Sequence, residues 1–445
     1  GITFAESGRA LYGPVETRNV FKGFGGPCEN MNNGDAVVRY DQLADRWLIV
    51  MPTFRKGISR NIDTTTKQRI NLPQPGEAVT LFQPPPSKET PAPANGPRPP
   101  APRPPADGTF CMCYAVSTSP DPLGSYYRYE FERELFPDYP RPTVWPDGYY
   151  TTTSTGDDVI ERHAYVVDRN KMLKGLDAKE QSFIIKDVNF IINADLDGKQ
   201  LPPAGAPSIM MAAGGSQLNK ILEDDGIYVW KYKVDWNNFS NTKIEGPVKI
   251  PVAPYQYMGG GQLTKAVPQP GTDMRLDAQG DKLMARLVYR RIGSRESVVG
   301  VHSVNTAVGG GGVRWYEFIV NKDRSVQLYQ QGTYAPDSNF RWMASPAIDK
   351  YGNIGIGYSF GGKNDFPGQR FAGRHFGDPL GKLTLNEVVL VNGEAAQTNT
   401  LRWEDYTQTA IDPSDDETIW YVGDYLKKGA KNYSSKIGAF KLGKK

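Results

Sequence analysis

Arg341-Trp342-Met343-Ala344-Ser345-Pro346-Ala347-Ile348-Asp349, followed by Gly352-Asn353-Ile354-Gly355-Ile356-Gly357-Tyr358, is the stretch on which the fold turns. An arginine opens a strand, an Asp turn ends it, and a strand of small and aromatic residues follows. The unit returns as Arg402-Trp403-Glu404-Asp405-Tyr406, ending Ala410-Ile411-Asp412 before Thr418-Ile419-Trp420-Tyr421. Weaker copies are Val38-Arg39-Tyr40-Asp41 with Arg46-Trp47-Leu48-Ile49, Tyr139-Pro140-Arg141 through Asp147-Gly148-Tyr149-Tyr150, and Arg275-Leu276-Asp277 with Leu283-Met284. Asp277, Asp349 and Asp412 recur at roughly 60–70 residues, the length of a four-stranded sheet with generous loops.

Strand patterns fill the rest, from Ala36–Tyr40 and Arg46–Met51 through Ser297–Val304 and Val313–Ile319 to Thr418–Val422. Helical periodicity is confined to Asp168–Asp177. An almost pure β chain with an internal repeat predicts a single β-propeller domain over residues 1–445, of about six or seven four-stranded blades. One twisted sheet cannot bury both faces alone, so neighbours are expected to pack face to face around an axis.

The segment 73–107 interrupts this pattern. Pro84, Pro85, Pro86, Pro99, Pro100, Pro104 and Pro105 cannot join a sheet ladder and predict an extended polyproline insertion. It reads as a surface loop or as a docking arm for another protein, since a preformed extended segment loses little entropy on binding.

Formal net charge is +3, from 52 basic and 49 acidic residues, which predicts no strong field and no nucleic-acid partner. The basic run Lys427–Lys445 reads as a solvated tail. No apolar run reaches the length of a membrane span, and Gly1–Ala10 lacks the basic start and apolar block of a leader. The chain is therefore expected to be soluble and to be a mature form from which a leader has been cut. Its three cysteines, Cys28, Cys111 and Cys113, allow one internal disulfide and one spare thiol. Cys111 and Cys113 share a strand face, so only one of them need reach Cys28. Too few cysteines and histidines are present for a zinc site or a redox metal centre.

Two motifs invite a cofactor. Gly357-Tyr358-Ser359-Phe360-Gly361-Gly362-Lys363 imitates a phosphate-binding loop, but Asn364 replaces the magnesium-holding hydroxyl and Asp365-Phe366-Pro367 forbids the helix. Asn193-Ala194-Asp195-Leu196-Asp197-Gly198 begins like a calcium loop without its later glutamate. Asp195 and Asp197 read as solvated carboxylates in a turn, with a shallow structural calcium site as the sharper reading; no other cofactor is expected.

Arg141, Arg341 and Arg402 open their repeats. If those strands are innermost, the guanidinium groups gather at a channel mouth. Arg341-Trp342 and Arg402-Trp403 pair a fork donor with an aromatic face, which suits carboxylates or sugars. Asp405 and Tyr406 beside them could supply an acid–base or nucleophilic pair. The plainer reading is that these arginines and tryptophans knit neighbouring sheets together.

Through Gly23-Phe24-Gly25-Gly26-Pro27-Cys28, Asn33-Gly34-Asp35, Tyr40-Asp41-Gln42-Leu43-Ala44-Asp45-Arg46-Trp47, Cys113-Tyr114-Ala115-Val116-Ser117, Trp145-Pro146-Asp147, Tyr329-Gln330-Gln331-Gly332-Thr333-Tyr334-Ala335-Pro336-Asp337 and Arg341-Trp342-Met343, the chain resembles a family of secreted bacterial propellers distantly related to the sialidase superfamily. The resemblance implies export to a secreted, periplasmic or cell-surface location, a propeller fold and a disulfide between Cys28 and Cys113; most such proteins carry no established activity. Glu404 departs from the glycine expected in an Arg-Trp-Gly-Asp-Tyr pattern, and Glu417 stands where a cysteine is common. The turn at Asp349 lacks the full sialidase Asp-box. The expected function is a non-catalytic binding or assembly subunit that contacts other proteins through the proline-rich arm or its sheet surfaces. The alternative is a hydrolase or lyase on an acidic glycan.

Overall fold

Short runs of β-branched and aromatic residues between Asp, Gly and Pro turns fold into strands throughout the computed structural model, which describes residues 2–5, 7–53, 110–133, 135–155, 161–215, 222, 224–261, 263–430 and 432–445. The proline-rich segment 73–107, with Pro84, Pro85, Pro86, Pro99, Pro100, Pro104 and Pro105, lies outside the described residues. The fold is all-β, built of antiparallel meanders of the β-propeller blade type. Among the described residues there are six meanders, five of four strands and one of three, two of the four-stranded ones being joined in a single eight-stranded sheet, and two further sheets have two strands each. The chain divides into two compact units: Gly1–Pro142, Asp147–Tyr149 and Thr153–Ile185 form one, and Thr143–Pro146, Tyr150–Thr152 and Lys186–Lys445 the other.

In the first unit, the first sheet runs Val37–Asp41, Arg46–Thr53, Phe110–Ser117 and Tyr126–Arg133. The second sheet runs Pro137–Trp145, Gly148–Thr155, Glu161–Val167 and Glu180–Ile184, and its first two strands also carry the short stretches that belong to the second unit. The disulfide expected from the resemblance is present: Cys28 on the short helix Gly26–Asn30 is joined to Cys113, with Cα atoms 5.7 Å apart. Both pack with Phe21, Met51, Cys111 and Ala115 in a small core, so Cys111 is buried outside the bridge. The expected helix at Asp168–Asp177 shortens to Arg169–Met172, where the Asp168 side chain caps the Lys171 N–H.

In the second unit, the third sheet is Ile192–Asp197, Ser208–Ala213, Gly226–Lys233 and Lys243–Pro251, and the fourth is Leu287–Ile292, Arg295–Asn305, Gly311–Val320 and Val326–Tyr334. Their first strands pair in parallel, Asp195 opposite Val288 and Asp197 opposite Arg290, so the two meanders make one continuous ladder. The fifth sheet is Phe340–Ile348, Ile354–Gly361, Gly368–Arg374 and Val388–Val391, and the sixth is Gln408–Ile411, Ile419–Tyr425 and Ser434–Phe440.

The repeat read at residue 341 explains how the fifth and sixth sheets meet. Gly355 and Gly357 occupy alternate positions and so share one face of their strand. A Cβ on Gly355 would lie 2.5 Å from Ile419, and one on Gly357 2.4 Å from Tyr421. Bare backbone there lets the sixth sheet approach, and Trp342, Ile354, Ile356, Tyr358 and Trp403 fill the remaining core. The Asp turn also has a physical basis. The Asp349 carboxylate accepts the Tyr351 and Asn353 amides at 2.9 and 3.0 Å, and Asp41 accepts those of Leu43 and Ala44 at 3.1 and 3.2 Å. The copy at Asp277 is corrected: it follows Thr272–Leu276, which pairs with Val267–Gln269 in a two-stranded hairpin and opens no blade.

Candidate functional site

The turn expected at Asn193–Gly198 is a strand, Ile192–Asp197, and its two carboxylates are buried rather than solvated. Arg286 Nε donates to Asp195 Oδ2 at 2.8 Å, and Nη2 donates to Asp197 Oδ1 at 2.5 Å. The remaining oxygens accept backbone amides, Val144 at 2.8 Å and Ile348 at 2.9 Å. Burial pushes the Asp197 carboxyl up, while the Arg286 guanidinium and the Ile348 amide pull it down. Arg286 Nη1 reaches the Thr409 carbonyl at 3.3 Å. The guanidinium thus holds the position a calcium ion would need and links the third, fifth and sixth sheets. Among the described residues the grouping of potential metal ligands is Cys28, Cys113 and Glu130, whose sulfurs are joined in the disulfide.

Arg341 lies on Phe340–Ile348 with its side chain 1% exposed. It donates to both oxygens of Asp337 at 2.9 Å and to Glu387 at 2.7 and 3.2 Å. Glu387 also receives the Tyr358 hydroxyl at 2.6 Å and Arg370 at 3.2 Å. Burial, then the Glu387 charge, raises the Tyr358 phenol far above its ordinary value, so it stays a donor. The guanidinium also sits over the Phe360 ring at 5.0 Å. Trp342 and Trp403 are buried with their rings 6.2 Å apart, which corrects the expectation of exposed aromatic faces for a sugar.

Arg402 opens no strand; it lies in the loop before Gln408–Ile411 and is exposed. Its Nη2 contacts both oxygens of Asp405, at 2.6 and 2.5 Å, and Asp405 also accepts Gln279 Nε2 at 2.8 Å. Tyr406 is half-buried beside them. Sequence reasoning missed the centre of this loop as a charge site. Glu404 is buried and has φ +42°, the left-handed backbone that favours the glycine its motif would carry. Its carboxyl accepts Ser359 Oγ at 2.7 Å, Gln369 Nε2 at 3.0 Å and the Asp424 amide. Burial first, then the Asp424 charge, pushes Glu404 well above the usual carboxylate range, and burial raises Asp424 to about 6.

Both shifts are upward, so the unfolded chain loses these protons first. Asp424's share of the stabilisation is full below its unfolded value near 4 and disappears as pH rises through about 6, and that of Glu404 is likewise lost as pH rises. Asp424→Asn removes one of the two charges and keeps an acceptor for Ser435. The variant is expected to gain about 1–2 kcal/mol over the natural chain at pH 7.5 relative to pH 4.5, after discounting for partial exposure. Urea midpoints at both pH values measure the gap; a gap independent of pH removes the coupled pair from the account.

Arg141 is buried in the first unit, its guanidinium 4.5 Å from the Tyr139 ring. Asp41 there accepts Arg169 at 2.6 and 3.0 Å and the Tyr149 hydroxyl at 2.7 Å, another closed cluster. A cavity of about 470 Å³ in the same unit is lined by Val15, Glu16, Arg18, Asn19, Lys22 and Glu29 among others. Its carboxylates are engaged: Glu16 pairs with Arg18 at 2.6 Å, and Glu29 accepts the Gly23 and Gly25 amides, which hold its carboxyl low. In the second unit His302, which the sequence did not single out, is fully buried against Tyr255 and accepts or donates to the Tyr316 hydroxyl at 2.9 Å. Burial lowers its pKa to about 3, so it is a neutral core residue at physiological pH.

No protein-family model and no curated protein matches the chain. Solved structures with partial likeness include the WD40 domain of SCAP from fission yeast (10% identity, TM-score 0.29, 75% of this chain and 66%, just under two thirds, of that one). A thermostable family-43 glycoside hydrolase is similar at 9% identity and TM-score 0.29, over 67% of this chain and 88% of that one. An ulvan lyase from a new family of polysaccharide lyases is similar at 10% identity and TM-score 0.27, over 94% of this chain and 72% of that one. At these scores the likenesses carry no argument about activity.

Proposed function

We propose that the chain is an exported, non-catalytic binding or assembly module of the propeller type. The observation that carries this reading is the closure of Arg341: Asp337 and Glu387 take four of its five N–H donors, and a buried guanidinium already paired with two carboxylates offers no two-pronged face to a substrate carboxylate. Asp195 and Asp197 are closed in the same way by Arg286. A disulfide across two elements supports an oxidising compartment. The segment 73–107 remains a docking arm on the strength of its composition.

The glycan-cleaving alternative has one observation in its favour. Exposed Arg402 with Asp405, next to the raised carboxyl of Glu404 and to Tyr406, sets two carboxyl groups in contrasting environments, as general acid–base chemistry requires. Incubation with uronic-acid oligosaccharides decides between them. Neither the natural chain nor Asp405→Asn is expected to release new reducing ends. Turnover by the natural chain that Asp405→Asn abolishes establishes the enzyme instead.

A further inference from the structure

Among the described residues five of the six meanders have four strands, while the sixth stops at three, with Ser434–Phe440 as its last. Among the described residues no strand pairs with the outer edge of Ser434–Phe440, which meets only Ile419–Tyr425 on its inner side. An antiparallel edge strand presents alternate N–H and C=O groups outward, a template for one more strand. Ile437 on this strand is about half exposed, at 49%. Gly438 faces Leu390 and Phe440 stacks on Phe371, both of the fifth sheet, so Lys436 shares that face while Ile437, which alternates with them, points to the opposite face.

Charge selects the occupant. Lys427, Lys428, Lys436 and Lys444 lie on or next to this strand and are exposed. None of the four ammonium groups makes an ion pair among the described residues, whereas Lys441 and Lys445 are held by Asp415 and Asp378. A row of free lysines protects an edge against pairing with itself or with a second copy of this chain. The same row attracts an acidic strand.

We propose that the edge Ser434–Phe440 is a docking site for an extended acidic segment of a partner protein, alternating apolar and acidic residues, which adds to the sixth sheet as its fourth strand. Main-chain hydrogen bonds supply the register, the apolar side chains on one face cover Ile437, and the acidic ones on the other meet Lys436. The proposal deepens the reading of the chain as a binding module and rests on it.

The test uses the full chain and two blocked eight-residue probes, one alternating Glu and Val and the other alternating Lys and Val. Hydrogen exchange read by mass spectrometry is expected to slow over 434–440 with the acidic probe, which binds at least about tenfold more tightly than the basic one. A Lys428→Glu/Lys436→Glu variant, both changes at exposed positions that leave the ladder intact, is expected to lose about tenfold in affinity for the acidic probe. Unchanged exchange at 434–440 under saturating acidic probe, equal affinity for both probes, or slowing by a short oligonucleotide alone overturns the proposal. Such a failure leaves the non-catalytic reading standing, because that reading is judged by oligosaccharide turnover.

Discussion

Arg286→Ala is expected to cost about 3–5 kcal/mol of stability, since it leaves two buried carboxylates without their counter-ion. Asp195 and Asp197 lie on the strand that joins the third and fourth sheets, and Arg286 is also bonded to the Thr409 carbonyl. The loss therefore falls on several sheets of the second unit together. Urea denaturation followed by tryptophan fluorescence reads it as a lower midpoint. The cost comes from unpaired charge and not from lost volume, so Arg286→Lys, which keeps the charge but lacks the fork, is expected to recover only part of it.

Opening the Cys28–Cys113 bridge is the second large effect. The cysteines are 85 residues apart in sequence, and closing a loop of that length removes about 4–5 kcal/mol of freedom from the unfolded chain in the loop-entropy account. Cys113→Ser is expected to lower the urea midpoint accordingly, and a dithiol reductant is expected to bring the natural chain to the same value. Cys111→Ser, with the bridge intact, serves as the control and is expected to stay near the natural midpoint. A midpoint unmoved in Cys113→Ser removes the bridge from the stability of the first unit.

The sequence made the strands legible where apolar residues alternate between turn signals. Ser297–Val304, Val313–Ile319 and Ile354–Ser359 all fall inside observed strands. Pro137–Trp145 was harder to see, because Pro140 and Pro142 argue against a ladder; the strand lies at the edge of its sheet, where proline is tolerated. Gly368–Arg374 was hidden by its glycines and arginines, since its pairing on both sides is tertiary in origin.

The site was less legible, for one physical reason. Asp195-Leu196-Asp197-Gly198 has the local look of a calcium loop, and its actual counter-ion stands 91 residues further on. Arg341 has one partner four residues upstream, Asp337, which a reader of the sequence could find, and another 46 residues downstream, Glu387, which no spacing rule reveals. The tryptophans beside the two arginines suggested exposed faces, but they serve the core. Glu404 carried a usable signal, a bulky acid at a position that its motif gives to glycine, and the backbone there is indeed left-handed.

The central claim is that these buried charges serve one another and not a ligand. The urea midpoint of the triple variant Arg286→Met, Asp195→Asn, Asp197→Asn tests it most directly. Removing all three charges while keeping acceptors for the Val144 and Ile348 amides is expected to restore most of what Arg286→Ala loses. A triple variant as unstable as Arg286→Ala contradicts the account, because the loss would then come from something other than an unpaired ion.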